Sequence, residues 1–414
     1  MPTPGSDGCL YQFYNCRILR DHDLVIDDLW VRDGKILNPE KLFFDEKRSA
    51  DIQIDCERNI VCPGFIDVQI NGAYGVDFSL NTDDVEEGVR KVAKGLLAHG
   101  VTSFCPTLVT SPVDVYQKVI PRIKKCNGSA DGAGILGLHL EGPFINREKK
   151  GAHEEQFIRA FPSGIQDVLQ TYRCLDNAAI VTLAPELDNS KLVIEELCAR
   201  GVRVSVGHSM ANLLQGEEAV SHGACFITHL FNAMLPFHHR DPHLVGLLAS
   251  QRIPTDKCIY YGLIADGIHT HPAALRIAHS VHPSGLVLVT DAISAMGLPT
   301  GVHHIGSQKI EICGKRAVIA GTNTLCGSIA TMNLCVKHLN KEANCGVVNS
   351  LEAATLHPAS MLGITDSKGT LDYNTDADFL ILDNNLDVQA TYIAGEKVWD
   401  VTALKECMNM EITT

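Results

Sequence analysis

Four apolar runs, far apart in the chain, each lead into a carboxylate or an imidazole. They are GILGLHLEGPF with Glu141, VRVSVGHS with His208, ACFITHLFNAM with His229 and GLVLVTDA with Asp291. Strand-like segments that each finish on such a group are what a parallel barrel needs to build one polar site at its C-terminal mouth. Two His and one Glu make a three-ligand set that leaves a divalent ion one position open for water. The extra Asp is then free for proton transfer. The pattern points to metal-assisted hydrolysis.

The intervening chain supports a barrel. Between Pro63 and about Leu356, strand and helix patterns alternate, which predicts βα units and a parallel sheet. Eight barrel strands are expected near 64–70, 101–106, 134–141, 179–184, 201–208, 223–229, 258–265 and 285–291. DDVEEGVRKVAKGLLAHG at 83–100 places Val85, Val89, Val92, Leu96 and Leu97 at helical spacing and stops at Gly100. Further helices are expected near 190–200, 212–221, 272–280, 328–340 and 350–356. VHHIGSQKIEICGKRAVIAGTN at 302–324 reads as a β-hairpin inserted after the eighth strand.

Both ends of the chain are strand-rich: LYQFYNCRIL, DLVIDDLWVRDGKI with its DG turn, and ADIQIDCERNIVC at the start, KGTLDYNTDADFLILDNNLDVQATYIAGEKVWD towards the finish. Neither end is long enough to bury a good core alone. The expected organisation is therefore one small β-sandwich built from 1–62 and 357–414, with a (β/α)8 barrel at 63–356 set between its halves.

Composition excludes several classes of function. The formal net charge is −14 and no Lys/Arg run exceeds two residues, so a nucleic-acid surface is not expected. No apolar run approaches the roughly 18 residues that a membrane span requires. The start, MPTPGSDGCL, has neither the basic residues nor the apolar centre of a secretory signal. Fifteen cysteines are scattered without CxxC pairs, which fits a reducing cytoplasm better than a disulfide framework.

Each candidate also has a structural reading. Glu141 could cap a following helix, His208 and His229 could be hydrogen-bonded core imidazoles, and Asp291 could be an N-cap. Coincidence at the ends of the third, fifth and sixth strands is a poor account of three metal-type residues. A buried carboxylate at Asp291 is costly without a partner, and metal-activated water is a suitable one.

PGFIDVQING at 63–72, the strand-end Glu141, the two spaced His, the TDA of Asp291, and the later HPAS, KGTL and DADFLIL segments form an ordered set. As a set they resemble the amidohydrolase superfamily and, within it, the N-acetylglucosamine-6-phosphate deacetylases, over about residues 10–400. The resemblance implies a hydrolase that removes the N-acetyl group of N-acetylglucosamine 6-phosphate in amino-sugar catabolism, with Asp291 as general base and acid. Many superfamily members carry His-x-His after the first strand, and the positions here read Gln69-Ile70-Asn71. Amides are poor Zn²⁺ ligands beside imidazole or carboxylate. No strand-four lysine is visible in AIVTLAPELD either. The expectation is one divalent ion per subunit, Zn²⁺ in preference to Fe²⁺, Co²⁺ or Mn²⁺, held by Glu141, His208 and His229. Gln69 would act beside it through a hydrogen bond.

The same resemblance implies the substrate contacts. In KKGAH, Ala152 and His153 would meet the acetamide, with His153 polarising its carbonyl. In FNAM, Asn232 and the backbone of Ala233 would touch the sugar. Arg240 of HHR and His269 of ADGIHT would hold the phosphate. A phosphate-binding basic residue can reach in from a neighbouring subunit in related enzymes, so a homodimer is expected. Another amidohydrolase reaction, on a different N-acyl sugar phosphate or a cyclic amide, and a non-catalytic relative are the rival readings; the last would be expected to have lost a ligand or the Asp.

Overall fold

The computed structural model describes residues 8–254, 257–305 and 308–402. Its centre is a nearly closed barrel of eight strands in chain order: Phe65–Ile70, Val101–Val109, Leu138–Glu141, Ala178–Leu183, Arg203–Val206, Phe226–Ile227, Tyr260–Leu263 and Leu286–Leu288. Every neighbouring pair is parallel. The ring is drawn together where the Asp291 N–H donates to the Gln69 carbonyl at 2.8 Å, so the end of the eighth strand meets the first. Strands one, three, four, six and eight are buried along their whole length. Burial on both faces is why they read as continuous apolar runs rather than as alternating ones.

The outer helices follow the periodicity closely. Val85–Leu96 buries Val85, Val89, Val92, Ala93 and Leu96, and the segment ends at Gly100 with φ 76°, a left-handed position suited to glycine. Ser190–Ala199, Leu213–Ser221, Pro272–Val281, Met332–Ala343 and Gly346–Glu352 stand near their expected places. Asn212 caps the third of these six helices in a full capping box with Gln215.

The terminal segments combine in one eight-stranded sheet. Ile60–Pro63 from the start pairs antiparallel with Phe379–Leu382 from the finish, which stitches the two ends together. Its core, with Phe13, Phe379 and Tyr392 in mutual ring contact, is separate from that of the barrel. The helix Leu356–Leu362, which follows the strand-and-helix region, buries Ala359 and Met361 with Ile66 and Val68 of the first barrel strand. The insertion after the eighth strand is larger than a hairpin: Gly301–Ile305, Gln308–Cys313, Arg316–Ile319 and Leu325–Gly327 form a four-stranded antiparallel sheet. Among the described residues no helix is long and apolar enough to cross a membrane.

Candidate active site

The strands deliver their polar residues by stopping. Glu141 is the last residue of the third strand, whereas His208 and His229 lie two residues beyond the fifth and sixth, and Asp291 three beyond the eighth. His208, His229 and Asp291 all have left-handed backbones, at φ 47°, 26° and 46°. Such a residue cannot continue a ladder and costs about 1–3 kcal/mol, so it persists only where the surroundings enforce it. These bends account for why the sixth and eighth strands are shorter than the apolar runs that contain them.

Glu141, His208 and His229 converge. His208 Nε2 and His229 Nε2 each lie 3.1 Å from Glu141 Oε1 and 3.0 Å from one another. The chemistry of that triangle calls for a positive charge at its centre. His208 Nδ1 is 2.8 Å from the Lys149 carbonyl, which can only accept, so Nδ1 carries the proton and a neutral ring leaves Nε2 bare. A bare nitrogen facing a carboxylate oxygen needs a proton or a cation between them. Burial resists ionisation of Glu141, yet the two imidazoles hold its carboxyl well below the usual range. Burial likewise opposes a charge on His229, and Glu141 overrides it, raising the imidazole to about 9. Ligands about 2.0–2.1 Å from a tetrahedral ion would sit roughly 3.3 Å apart, close to the observed edges. The donor set therefore fits a divalent metal ion, and among the described residues it is the one such cluster.

Asp291 stands beside this triangle. Asn71 Nδ2 donates to its Oδ1 at 2.8 Å, and Gln69 Nε2 lies 3.0 Å from Glu141 Oε1 and 3.4 Å from Asp291 Oδ1. The Gln-x-Asn pair thus spans the candidate ligand and the free carboxylate with amide donors. Burial, reinforced by the charge of Glu141, pushes Asp291 up to about 6, against the pull of His229, Asn71 and His269. A carboxylate poised there suits proton transfer near neutral pH.

His153 is held across the mouth, its ring 4.4 Å from that of His208. Its Nδ1 receives the Thr110 N–H at 3.3 Å and sits 2.7 Å from the Thr110 hydroxyl. A nitrogen that accepts a backbone N–H carries no proton, and burial depresses the imidazole to about 3, so the ring is neutral with its proton on Nε2. Gly142 explains part of the EGPF motif: a Cβ there would lie 2.2 Å from Thr110 Oγ1 and 3.5 Å from His153 Nδ1, and its φ is 83°. Two phenols, Tyr116 and Tyr172, lie 3.2 and 2.8 Å from the Gly142 carbonyl and fix that turn.

Glu141, His208, His229, Asp291, Asn71, Thr110 and His153 line one cavity of about 810 Å³, together with Ala152, Asn232, Ala233 and His269. Gln69 lies behind them, against Glu141 and Asp291. Arg240 is not in the lining; it is exposed in the turn bridged by His238 and Asp241. Other contributors had no strand-end signal. Asp266 accepts from His269 Nδ1 at 2.6 Å. Glu186, after the fourth strand, receives Asn146 Nδ2, Ser209 Oγ and the Met210 N–H, tying together the loops after the third and fifth strands. The inserted sheet supplies Ile310 and Leu325–Gly327 to the wall. Thr110, Glu186 and Asp266 act through other side chains, so only knowledge of their spatial neighbours could have singled them out.

Residues 60–398 match the amidohydrolase family. The chain is 62% identical to the N-acetylglucosamine-6-phosphate deacetylase of Danio rerio, covering 95% of this chain and 98% of that one. It is 61% identical to that of Homo sapiens, over 95% and 97%. Among solved structures, a mutant N-acetyl-D-glucosamine-6-phosphate deacetylase of Mycobacterium smegmatis, in complex with N-acetyl-D-glucosamine 6-phosphate, superposes with a TM-score of 0.77. Its identity is 29%, over 95% of this chain and all of that one. With the barrel, the three-ligand cluster and these relatives in agreement, the chain belongs to the amidohydrolase family, in its N-acetylglucosamine-6-phosphate deacetylase branch.

Proposed function

We propose that the site hydrolyses the N-acetyl group of N-acetylglucosamine 6-phosphate, giving glucosamine 6-phosphate and acetate. The observation that carries this is the placement of Asp291 and His153 around the Glu141–His208–His229 triangle in one cavity. A divalent ion in that triangle, Zn²⁺ in this reading, supplies Lewis acidity and makes water nucleophilic near neutral pH. Zn²⁺ is favoured because two imidazoles and one carboxylate suit it and the amide of Gln69 offers no strong additional ligand.

Asp291 takes the proton of the attacking water and then delivers it to the sugar nitrogen as the C–N bond breaks. Asn71 and Gln69 orient its carboxylate for both transfers. His153 donates from Nε2 to the acetyl oxygen as charge develops there. Its neutral state matters, because it leaves the net positive charge of the mouth at the metal triangle. Ala152 lies beside it against the acetamide, while Asn232 and the Ala233 backbone contact the sugar ring.

His269, held by Asp266, grips the phosphate. Arg240, exposed in its own chain, fits a contact to the phosphate of a neighbouring subunit in a cytoplasmic homodimer. Binding energy from the phosphate positions the distant acetamide. In this reading the catalytic barrel spans 63–356 and the two-ended sheet domain 1–62 with 357–414, of which 1–7 and 403–414 lie outside the described residues.

Acetate release should be measured from N-acetylglucosamine 6-phosphate and from N-acetylglucosamine, before and after chelation. Chelator-sensitive release from the phosphate ester alone is expected. Absence of release from folded, metal-loaded protein would remove the proposal.

A further inference from the structure

A second cavity, of about 300 Å³, lies on the far side of the turn that carries His269 and shares no lining residue with the first. One wall is the helix Met332–Ala343, which presents Lys337 and Lys341 one turn apart, with His338 next to Lys337. The opposite wall is Lys315, at the two-residue turn of the inserted sheet, where Gly314 at φ 57° suits a II′ hairpin. The third wall is Asp266.

The charges in this cavity are unequally answered. Asp266 is taken up by His269 at 2.6 Å, and Lys337 by Asp387 at 2.6 Å. Among the described residues Lys341 pairs only with its neighbour Glu342, at 3.9 Å and with the lysine side chain 81% exposed. Lys315 has no ion-pair partner among the described residues. Two ammonium groups from different elements thus face a cavity of the size that holds a small metabolite, in a lining that also includes the His338 imidazole.

We propose that this cavity binds a small phosphate-bearing anion, and that its occupancy is felt in the active site. Three connections carry the effect. Asp266 belongs to both sites, since its Oδ2 fixes the His269 ring. The His338 ring also packs against that turn: a Cβ on Gly267 would lie 2.9 Å from its Cε1. The inserted sheet belongs to both as well, giving Lys315 to the second cavity and Ile310 and Leu325–Gly327 to the first. An anion bridging Lys315 to Lys341 would draw the insert and the helix together and shift the wall over the substrate. This coupling rests on reading His269 as a substrate contact; the binding itself does not.

The test is equilibrium binding of inorganic phosphate to the metal-loaded protein and to Lys315→Ala/Lys341→Ala, which leaves the Lys337–Asp387 pair in place. Wild type should bind two phosphates per chain and the variant one, the second weakened by about tenfold or more through loss of charge-assisted contacts. Phosphate should inhibit wild-type turnover in a mixed pattern and the variant competitively. Equal phosphate counts on the two proteins would overturn the site. Two-to-one stoichiometry with competitive inhibition of both would overturn the coupling. If the protein proved not to be a deacetylase, the binding counts would still decide the cavity.

Discussion

Thr110 and His153 form a pair in which the imidazole nitrogen only accepts: the Thr110 N–H and hydroxyl both reach His153 Nδ1, at 3.3 and 2.7 Å. The threonine thereby fixes which nitrogen of His153 is left to donate into the cavity. Thr110→Val keeps the branch and volume but removes the hydroxyl. It should lower kcat by roughly 10-fold or more, as loss of an orienting partner does, with little change in KM. Thr110→Ser should restore most of the rate. Steady-state kinetics of both variants check this, and a normal kcat in the valine variant would show that the backbone N–H alone suffices.

Asp291 must be ionised to take a proton, and its burial beside Glu141 pushes it up to about 6. The sign follows directly: activity is lost as pH falls through that value, because the protonated acid cannot act as a base. A bound cation favours the carboxylate, so the acid limb of kcat/KM should have its midpoint at or below about 6. Asp291→Asn should retain metal and substrate binding while lowering kcat by about 10²–10⁴-fold. A substantial residual rate with the acid limb unmoved would assign that limb to another group.

The Asp266–His269 pair gives a different pH signature. Burial works against a charged His269, but Asp266 more than offsets it and raises the imidazole. That charge is present at low pH and is lost as pH rises through the raised value. In Asp266→Asn the loss should come at lower pH. KM for the phosphorylated sugar should therefore exceed that of wild type several-fold near neutrality, and the two should converge in acid, where both imidazoles are charged. A KM ratio independent of pH would show that Asp266 acts through loop shape alone.

The contrast among these residues explains what could be read from sequence. Glu141, His208, His229 and Asp291 were legible because a barrel places its chemistry at strand ends, and an apolar run makes an abrupt polar terminus visible. The outer helices were legible for a similar reason: the 3.6-residue period of Val85, Val89, Val92 and Leu96 survives as one buried face. The strand limits were less so, since the left-handed turns at His229 and Asp291 end the ladder inside a continuous apolar stretch. Thr110, Glu186 and Asp266 carry no local pattern at all; each matters for a partner 43, 23 or 3 residues away. The four-stranded insert reads as a hairpin because its last strand, Leu325–Gly327, spans only three residues and lies beyond the 302–324 stretch.

Outside the barrel, Lys368 binds the sheet domain's return segment from within. Its Nζ lies 2.5 Å from Asp378 and 2.9 Å from Asp376, and the Lys368 and Asp378 side chains are only 10% and 8% exposed. Burial disfavours the ammonium, yet the two carboxylates raise its pKa. Asp376 has a second cation, Lys35 at 2.6 Å, whereas the Asp378 carboxylate otherwise receives, among the described residues, only the Ala394 N–H. Lys368→Met would thus strand one buried carboxylate. It should cost about 3–5 kcal/mol, because removing one partner of a buried pair leaves the other charge uncompensated. Adding Asp378→Asn should recover a large part of that loss, since the cost lies in the orphaned charge and not in the missing attraction. Urea unfolding of the three proteins measures both steps. A single variant that loses no more than an exposed ion pair, under about 1 kcal/mol, would mean that water reaches Asp378 freely and that the pair holds little of the sheet together.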